Sequence, residues 1–152
     1  MFDPHAAVAR DVMHVGCTCI PADRTLRDAA RTMSEEALGS LPICDADGGL
    51  IGIVTDRDLV VHGLAADLDP DTTKLEELAS GRVVCAGPGT PAHVLLMLME
   101  QHLIRRIPIV DDTRTVLGMV SHSDIALHLG RDEAGEVLEV LAASPPRQSM
   151  AY

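Results

Sequence analysis

Aromatic residues are almost missing from this chain: it has no tryptophan, and Phe2 and Tyr152 stand at its two ends. A core must therefore be assembled from Leu, Ile, Val, Met and Ala. No aromatic platform exists for stacking bases in the manner of single-strand nucleic-acid binders. Any purine held here has to lie between aliphatic side chains and backbone. Lysine is as scarce, with Lys74 alone, and the arginines are dispersed apart from Arg105-Arg106. At a formal net charge of −11 the chain lacks the basic surface that phosphate neutralisation requires, so no nucleic-acid partner is expected. Long apolar runs are absent too. The longest, residues 94–99, falls far short of the roughly 20 residues of a membrane span, so no membrane role is expected. The opening Met1-Phe2-Asp3-Pro4-His5 has neither a basic n-region nor an apolar h-region. No signal peptide is expected, and the cytoplasm is the expected location.

What is present is enough for one well-packed domain. The chain has 152 residues, 47% hydrophobic and 23% charged, too few for a catalytic domain plus a regulatory one. The chain also aligns with itself, without a gap, at an offset of 66 residues. Leu41-Pro42-Ile43-Cys44-Asp45 falls on Ile107-Pro108-Ile109-Val110-Asp111. Gly52-Ile53-Val54-Thr55-Asp56-Arg57-Asp58 falls on Gly118-Met119-Val120-Ser121-His122-Ser123-Asp124.

Each copy carries the same pattern of elements. A short strand (residues 18–20, and 83–86) leads into a turn and an amphipathic helix, with Leu26, Ala29, Ala30, Met33 and Ala37 spaced for one buried stripe. Two apolar strands follow, residues 41–44 and 50–54, joined by Asp45-Ala46-Asp47-Gly48-Gly49. A second helix starts at Thr55, a natural N-cap with Asp58 at N3; Ser121 and Asp124 repeat the arrangement. The domain reading is a first repeat at 8–62, a linker at 63–73, a second repeat at 74–129, and a tail at 130–152 with a short helix over 133–142.

These residues resemble the CBS-domain family, named after cystathionine β-synthase. The resemblance rests on Ala9-Arg10-Asp11-Val12-Met13, the Leu-Pro-Ile strand, and Gly-x-x-Thr/Ser-x-x-Asp in both copies. The run from Thr55 to Ala65 followed by Asp69-Pro70 is closer still to short actinobacterial proteins made of CBS repeats alone. In the second copy Glu77-Leu78-Ala79 replaces Asp11-Val12-Met13. The resemblance implies an α/β (α+β) fold: tandem βαββα repeats related by pseudo-twofold symmetry in one Bateman-type module.

It also implies a ligand, an adenine nucleotide (AMP, ATP or ADP) held in clefts between the repeats. Asp58 and Asp124 would accept ribose hydroxyls, with Thr55 and Ser121 at ribose or phosphate and the backbone of Leu41, Ile43, Ile107 and Ile109 reading the adenine edge. Arg57 and Arg106 are the best phosphate partners; Ser123 replaces Arg57 in the second copy, so the two sites should differ. This reading expects both carboxylates to face solvent-accessible crevices. The bland alternative is simple helix capping by the same residues.

Cys19 and Cys44 are expected on neighbouring strands, where they form a candidate redox pair. His14-x-x-Cys17-x-Cys19 has the spacing of half a metal site, but no second pair follows, so no metal is expected. On the first helix of repeat two, Val94, Met97 and Leu98 replace Asp28, Arg31 and Thr32. This second apolar face points to a homodimer contact, the alternative being deeper burial under the tail helix.

The leading function is a non-catalytic regulatory sensor acting on a separate, unidentified partner protein and needing no cofactor beyond its nucleotide ligand. The alternative is a ligand-free, stress-associated interaction protein responding through Cys19–Cys44. An enzyme is the third reading. CBS pairs occur as inserts in IMP dehydrogenase, but no nucleophile–base–orienter set is evident, and His122 and His128 are read as helix-surface residues.

Overall fold

The computed structural model describes residues 7–79 and 82–128, together with Gly135, Glu139, Ala142 and Ala143. The expected tail helix over 133–142 lies, those positions aside, outside the described residues. The elements in chain order are α1 (Ala9–Val12), β1 (His14–Val15), β2 (Ile20–Pro21), α2 (Leu26–Glu36), β3 (Ser40–Cys44), β4 (Leu50–Thr55), α3 (Asp56–Asp58), α4 (Leu75–Leu78), α5 (Ala92–His102), β5 (Arg106–Val110), β6 (Val116–Ser121) and α6 (His122–His128).

The duplicated sequence gives duplicated pairing. In one sheet, ordered β2-β3-β4, β2 runs parallel to β3 with Ile20 opposite Ile43, and β3 is antiparallel to β4 with Leu41 opposite Val54. The other sheet is ordered β1-β6-β5, and Ala86 makes a parallel bridge to Ile109. That bridge is the Ile20–Ile43 pair displaced by one repeat. The expected strand at 83–86 is reduced to it.

The helix after each first strand also repeats. Thr25 caps α2, accepting from the backbone N–H of Asp28 while Asp28 accepts in return from that of Thr25. Leu26, Ala29 and Met33 form its buried stripe, but Ala30 is exposed. Ala37 ends the helix in the left-handed conformation at φ 54°, and Leu103 ends α5 in the same way at φ 52°. The expected stripe overran the helix by its cap.

Two compact units result, and they do not follow the repeat boundaries of the sequence. Among the described residues, one combines those up to Gly16 with Val84–Thr113 and those from Leu117 onward; the other combines Cys17–Val83 with Arg114–Val116. In the first of these, α1 packs on α5 and α6, placing Ala9 and Val12 in a core with Leu95, Met99, Ile107, Ile109, Val120 and Ile125. In the other, Leu75 of α4 joins Ile20, Leu26, Met33, Leu41, Ile43 and Val54. Burying one such leucine contributes about 1.5–3 kcal/mol, enough to fix where a four-residue helix docks. Each opening helix is thus claimed by the repeat it does not begin in sequence.

The stretch expected as a linker is largely ordered. After α3 the chain continues as a π-helical turn, Leu59–Gly63, and a tight turn, Leu64–Ala66. At Gly63 an added Cβ would lie 3.1 Å from Leu26 Cδ1, so this turn sits close against α2 and a larger residue would make that side chain shift by a few tenths of an ångström. Thr73 is buried, its carbonyl accepts from the Leu26 N–H, and Arg27 pairs with Asp71.

Candidate functional site

Strand β4 ends at Thr55 and β6 ends at Ser121, and in each case a helix begins with the next residue. The first helical N–H is tied back to the opposite strand: Asp56 N–H donates to the Gly39 carbonyl and His122 N–H to that of Arg105, both at 3.0 Å. This common anchor places the signature hydroxyl and carboxylate identically in the two units.

In the first copy Asp58 Oδ2 accepts from the Thr55 backbone N–H and from Thr55 Oγ1, both at 2.7 Å, while Thr55 Oγ1 accepts from the Asp58 N–H at 3.1 Å. In the second, Asp124 Oδ2 accepts from the Ser121 N–H and Oγ, both at 2.7 Å, and Ser121 Oγ accepts from the Asp124 N–H at 3.2 Å. The bland reading is therefore physically real: both pairs are closed capping boxes.

The expected exposure of the carboxylates is corrected. Asp58 is 1% exposed and Asp124 8%, because the helix start tucks each N3 side chain under the preceding strand, where only hydrogen bonds offset its desolvation. A histidine also stands against Asp124. His14, on β1, brings Nε2 to 2.7 Å from Asp124 Oδ1. It does so because β1 lies antiparallel to β6 with His14 opposite Met119. Sequence reasoning saw His14 only as half of a metal pattern; a 66-residue offset carries no signal for this contact. His128 Nδ1 also reaches the Asp124 main-chain carbonyl at 2.7 Å. His122 is not a plain surface residue: its Nδ1 is buried without a hydrogen-bond partner, and burial holds the imidazole below its ordinary pKa.

Burial pushes the Asp124 carboxyl up, but hydrogen bonds from Ser121 and His14, with the His14 charge, outweigh it and hold the group below its ordinary value. A carboxylate with a depressed folded pKa contributes stability that is complete above the unfolded value, about 3.9, and lost as pH falls through the folded one. Urea midpoints of wild type and Asp124→Asn should therefore converge as pH drops below about 4. A constant gap from pH 6 to 3 would exclude this linkage.

The other expected site residues fall as follows. Leu41 and Ile43 on β3, and Ile107 and Ile109 on β5, have fully buried side chains, so only their backbone is available to a ligand. Ile43 and Ile109 lie inside the parallel pairing, whereas no described strand pairs with Leu41 or Ile107 on that side. Arg57 on α3 and Arg106 at the start of β5 are both exposed. The repeat offset exchanges them, since Ser123 stands for Arg57 and Ser40 for Arg106. Each unit so keeps one arginine, on the helix in one and on the strand in the other.

Cys19 and Cys44 are brought together as free thiols. Burial, then the hydrogen bond and charge of Cys19, then the charge of Asp45, push Cys44 up to about 12. Cys17 is also raised, by burial first and then by Cys19. Among the described residues no group of three His, Cys, Asp or Glu side chains is placed to hold a metal ion. On α5, Met97 is 62% exposed, Val94 is half-buried, and Leu98 packs partly on its own unit's core. Leu98 is thus partly satisfied without a second copy.

A parallel–antiparallel sheet repeated in two units, each closing on a Thr/Ser–Asp helix start, defines a class, and the family profile agrees: the CBS domain matches residues 9–64 and 69–131, so the chain belongs to the CBS-domain family. Among its relatives is hypoxic response protein 1 of Mycobacterium tuberculosis, 44% identical over 121 residues, 80% of this chain and 84% of that protein. A crystal structure of hypoxic response protein I with two coordinated zinc ions matches 82% of this chain and 100% of that one, at TM-score 0.75 and 41% identity. The CBS domain pair of protein MJ0100, in complex with 5′-methylthioadenosine and S-adenosyl-L-methionine, matches at TM-score 0.72 and 26% identity, covering 86% and 98%. Inosine-5′-monophosphate dehydrogenase of Methanocaldococcus jannaschii is 29% identical over 143 residues, 91% of this chain but 27% of the enzyme. Among the described residues no helix is long and apolar enough to cross a membrane.

Proposed function

We propose that this protein is a non-catalytic sensor that binds an adenine nucleotide, AMP, ADP or ATP, at its two Thr/Ser–Asp helix starts and transmits occupancy to a separate partner protein. The observation that carries the reading is the twofold construction of one hydroxyl–carboxylate pair with matching geometry, each beside a strand to which no described strand pairs on the far side at Leu41 or Ile107. Carboxylates suit vicinal ribose hydroxyls because each accepts two donors. Arg57 and Arg106 supply one cation per unit for a 5′-phosphate. Adenosyl ligands in the MJ0100 pair support the adenosine part of the assignment. The low count of basic residues favours the monophosphate.

Isothermal titration with AMP, ADP, ATP and S-adenosylmethionine tests it. AMP is expected to bind with the largest heat and to raise the melting temperature; no heat and no shift with all four would end the proposal. The exposed Met97 favours a homodimer through α5, which sedimentation of the free protein decides.

The alternative redox reading draws on the Cys19–Cys44 contact. Cys44, pushed up to about 12, is a poor attacking thiolate, which weakens this alternative. Equal melting temperatures with and without reductant would remove this alternative.

A further inference from the structure

Cys19 and Cys44 take no part in the proposed nucleotide sites, yet the sheet of β2, β3 and β4 aims them at each other. Strands β2 and β3 are parallel, with Ile20 opposite Ile43 and Pro21 opposite Cys44. Paired residues of a parallel ladder share a face, and so do residues two apart along one strand. Cys19, two residues before Pro21, is therefore brought to the face that carries Cys44, a diagonal step away. Their thiols are in hydrogen-bond contact. The backbone under Cys44 is held from both sides: its carbonyl accepts from the Ala22 N–H at 2.9 Å, and β4 pairs with it at Leu50. Cys44 is 5% exposed, whereas Cys19 is half-buried and gives solvent access to the pair.

The donor set selects its ion. Cys17 lies near Cys19 as well, but among the described residues no group of three His, Cys, Asp or Glu side chains is placed to hold a metal. Asp45, next in the chain, spends Oδ1 on the N–H groups of Asp47 and Gly49. Zinc and iron–sulfur clusters call for four ligands, which two thiols do not supply. Cu(I) is different: a closed-shell ion with a strong preference for sulfur, it is content with two thiolates in line. Burial first, and then Cys19, keep Cys44 protonated, so an ion enters by displacing protons, and that demands a high affinity for sulfur. The second repeat has no such pair, since Cys85 corresponds to Cys19 but Val110 to Cys44.

We propose that Cys19 and Cys44 form a two-coordinate site for Cu(I), each thiol giving its proton to solvent and forming one S–Cu bond. Copper stays Cu(I) throughout, so no oxidant or reductant takes part. The proposal does not depend on the nucleotide reading.

The test is anaerobic titration of Cu(I) into the reduced protein against the Cu(I) chelator bicinchoninate. Wild type is expected to hold a single copper per chain, with X-ray absorption counting two sulfurs around it, and Cys85→Ser to do the same. Cys44→Ser and Cys19→Ser are each expected to surrender it to the chelator. Cys44 is buried, so Cys19→Ser, at a half-buried position, gives the reading should Cys44→Ser fail to fold. Zinc offered in place of copper is expected to be lost on desalting. A wild type that holds no copper overturns the proposal. So does copper that survives Cys44→Ser, which would put it on Cys17 and Cys19, and so does equal loss from Cys85→Ser. Zinc retained by wild type and lost from Cys44→Ser overturns the two-coordinate assignment.

Discussion

Asp58→Ala lowers the unfolding free energy by about 3 kcal/mol, a large effect for a polar side chain in a small domain. The carboxylate is 1% exposed, and its Oδ2 takes both the Thr55 N–H and the Thr55 hydroxyl at 2.7 Å. Alanine leaves the backbone donor without this acceptor in a place that water scarcely reaches. It also removes half of the capping box, itself worth about 1 kcal/mol. Asp58→Asn keeps an acceptor oxygen and costs about 1 kcal/mol, since it loses mainly the charge assistance. Urea unfolding followed by circular dichroism measures both. A drop below 1 kcal/mol for Asp58→Ala would mean that solvent replaces the lost acceptor, and that the site is far more open than its burial indicates.

Gly118→Val is the second large effect, and its cause is steric. An added Cβ would lie 2.6 Å from the His14 backbone oxygen and 2.9 Å from Met13 Sδ. The sulfur can move aside, but the main chain of a paired strand cannot. Strand β1 must detach, and with it goes part of the docking of α1, whose Ala9 and Val12 are buried. The expected loss is about 3–4 kcal/mol. Hydrogen exchange should find the amides of residues 9–15 unprotected while those of β3 and β4 keep their protection. Gly52→Ala is the internal comparison. There the added Cβ meets Ala79 Cβ at 3.2 Å and Ile43 Cδ1 at 3.4 Å, side-chain atoms that can shift by tenths of an ångström, so its cost is smaller.

The sheets were legible in the sequence because strand pairing within a repeat is local. Leu41-Pro42-Ile43 and its copy at 107–109 are short apolar runs bounded by turn residues, and the offset that superposes them also carries the Ile20–Ile43 pair onto Ala86–Ile109. The capping boxes were legible for the same reason, as Thr55 and Asp58 are three residues apart. What escaped was everything decided at long range. An offset of 66 says that Ala9-Arg10-Asp11-Val12 and Leu75-Glu76-Glu77-Leu78 are comparable, but not which repeat each packs on. That choice is set by buried area at Val12 and Leu75, which a pattern of residue types does not report. The His14–Asp124 contact spans 110 residues and follows from the same choice. The burial of Asp58 and Asp124 escaped because a capping carboxylate and a ligand-facing one share one local motif. The π-helical turn at Leu59–Gly63 escaped because Val60-Val61 there reads as ordinary helix by its spacing.

The placement of the two opening helices sets the order in which the chain can fold as it is synthesised. Once the segment through Val83 has been made, every described residue from Cys17 to Ala79 has most of its unit at hand, and that body can condense early. Helix α1 has no such fortune. Its partners α5 and α6 end at residues 102 and 128, so Ala9 and Val12 stay unburied until synthesis has passed residue 128. A product stalled before that point would therefore display an unburied apolar segment, a feature that chaperones and proteases recognise.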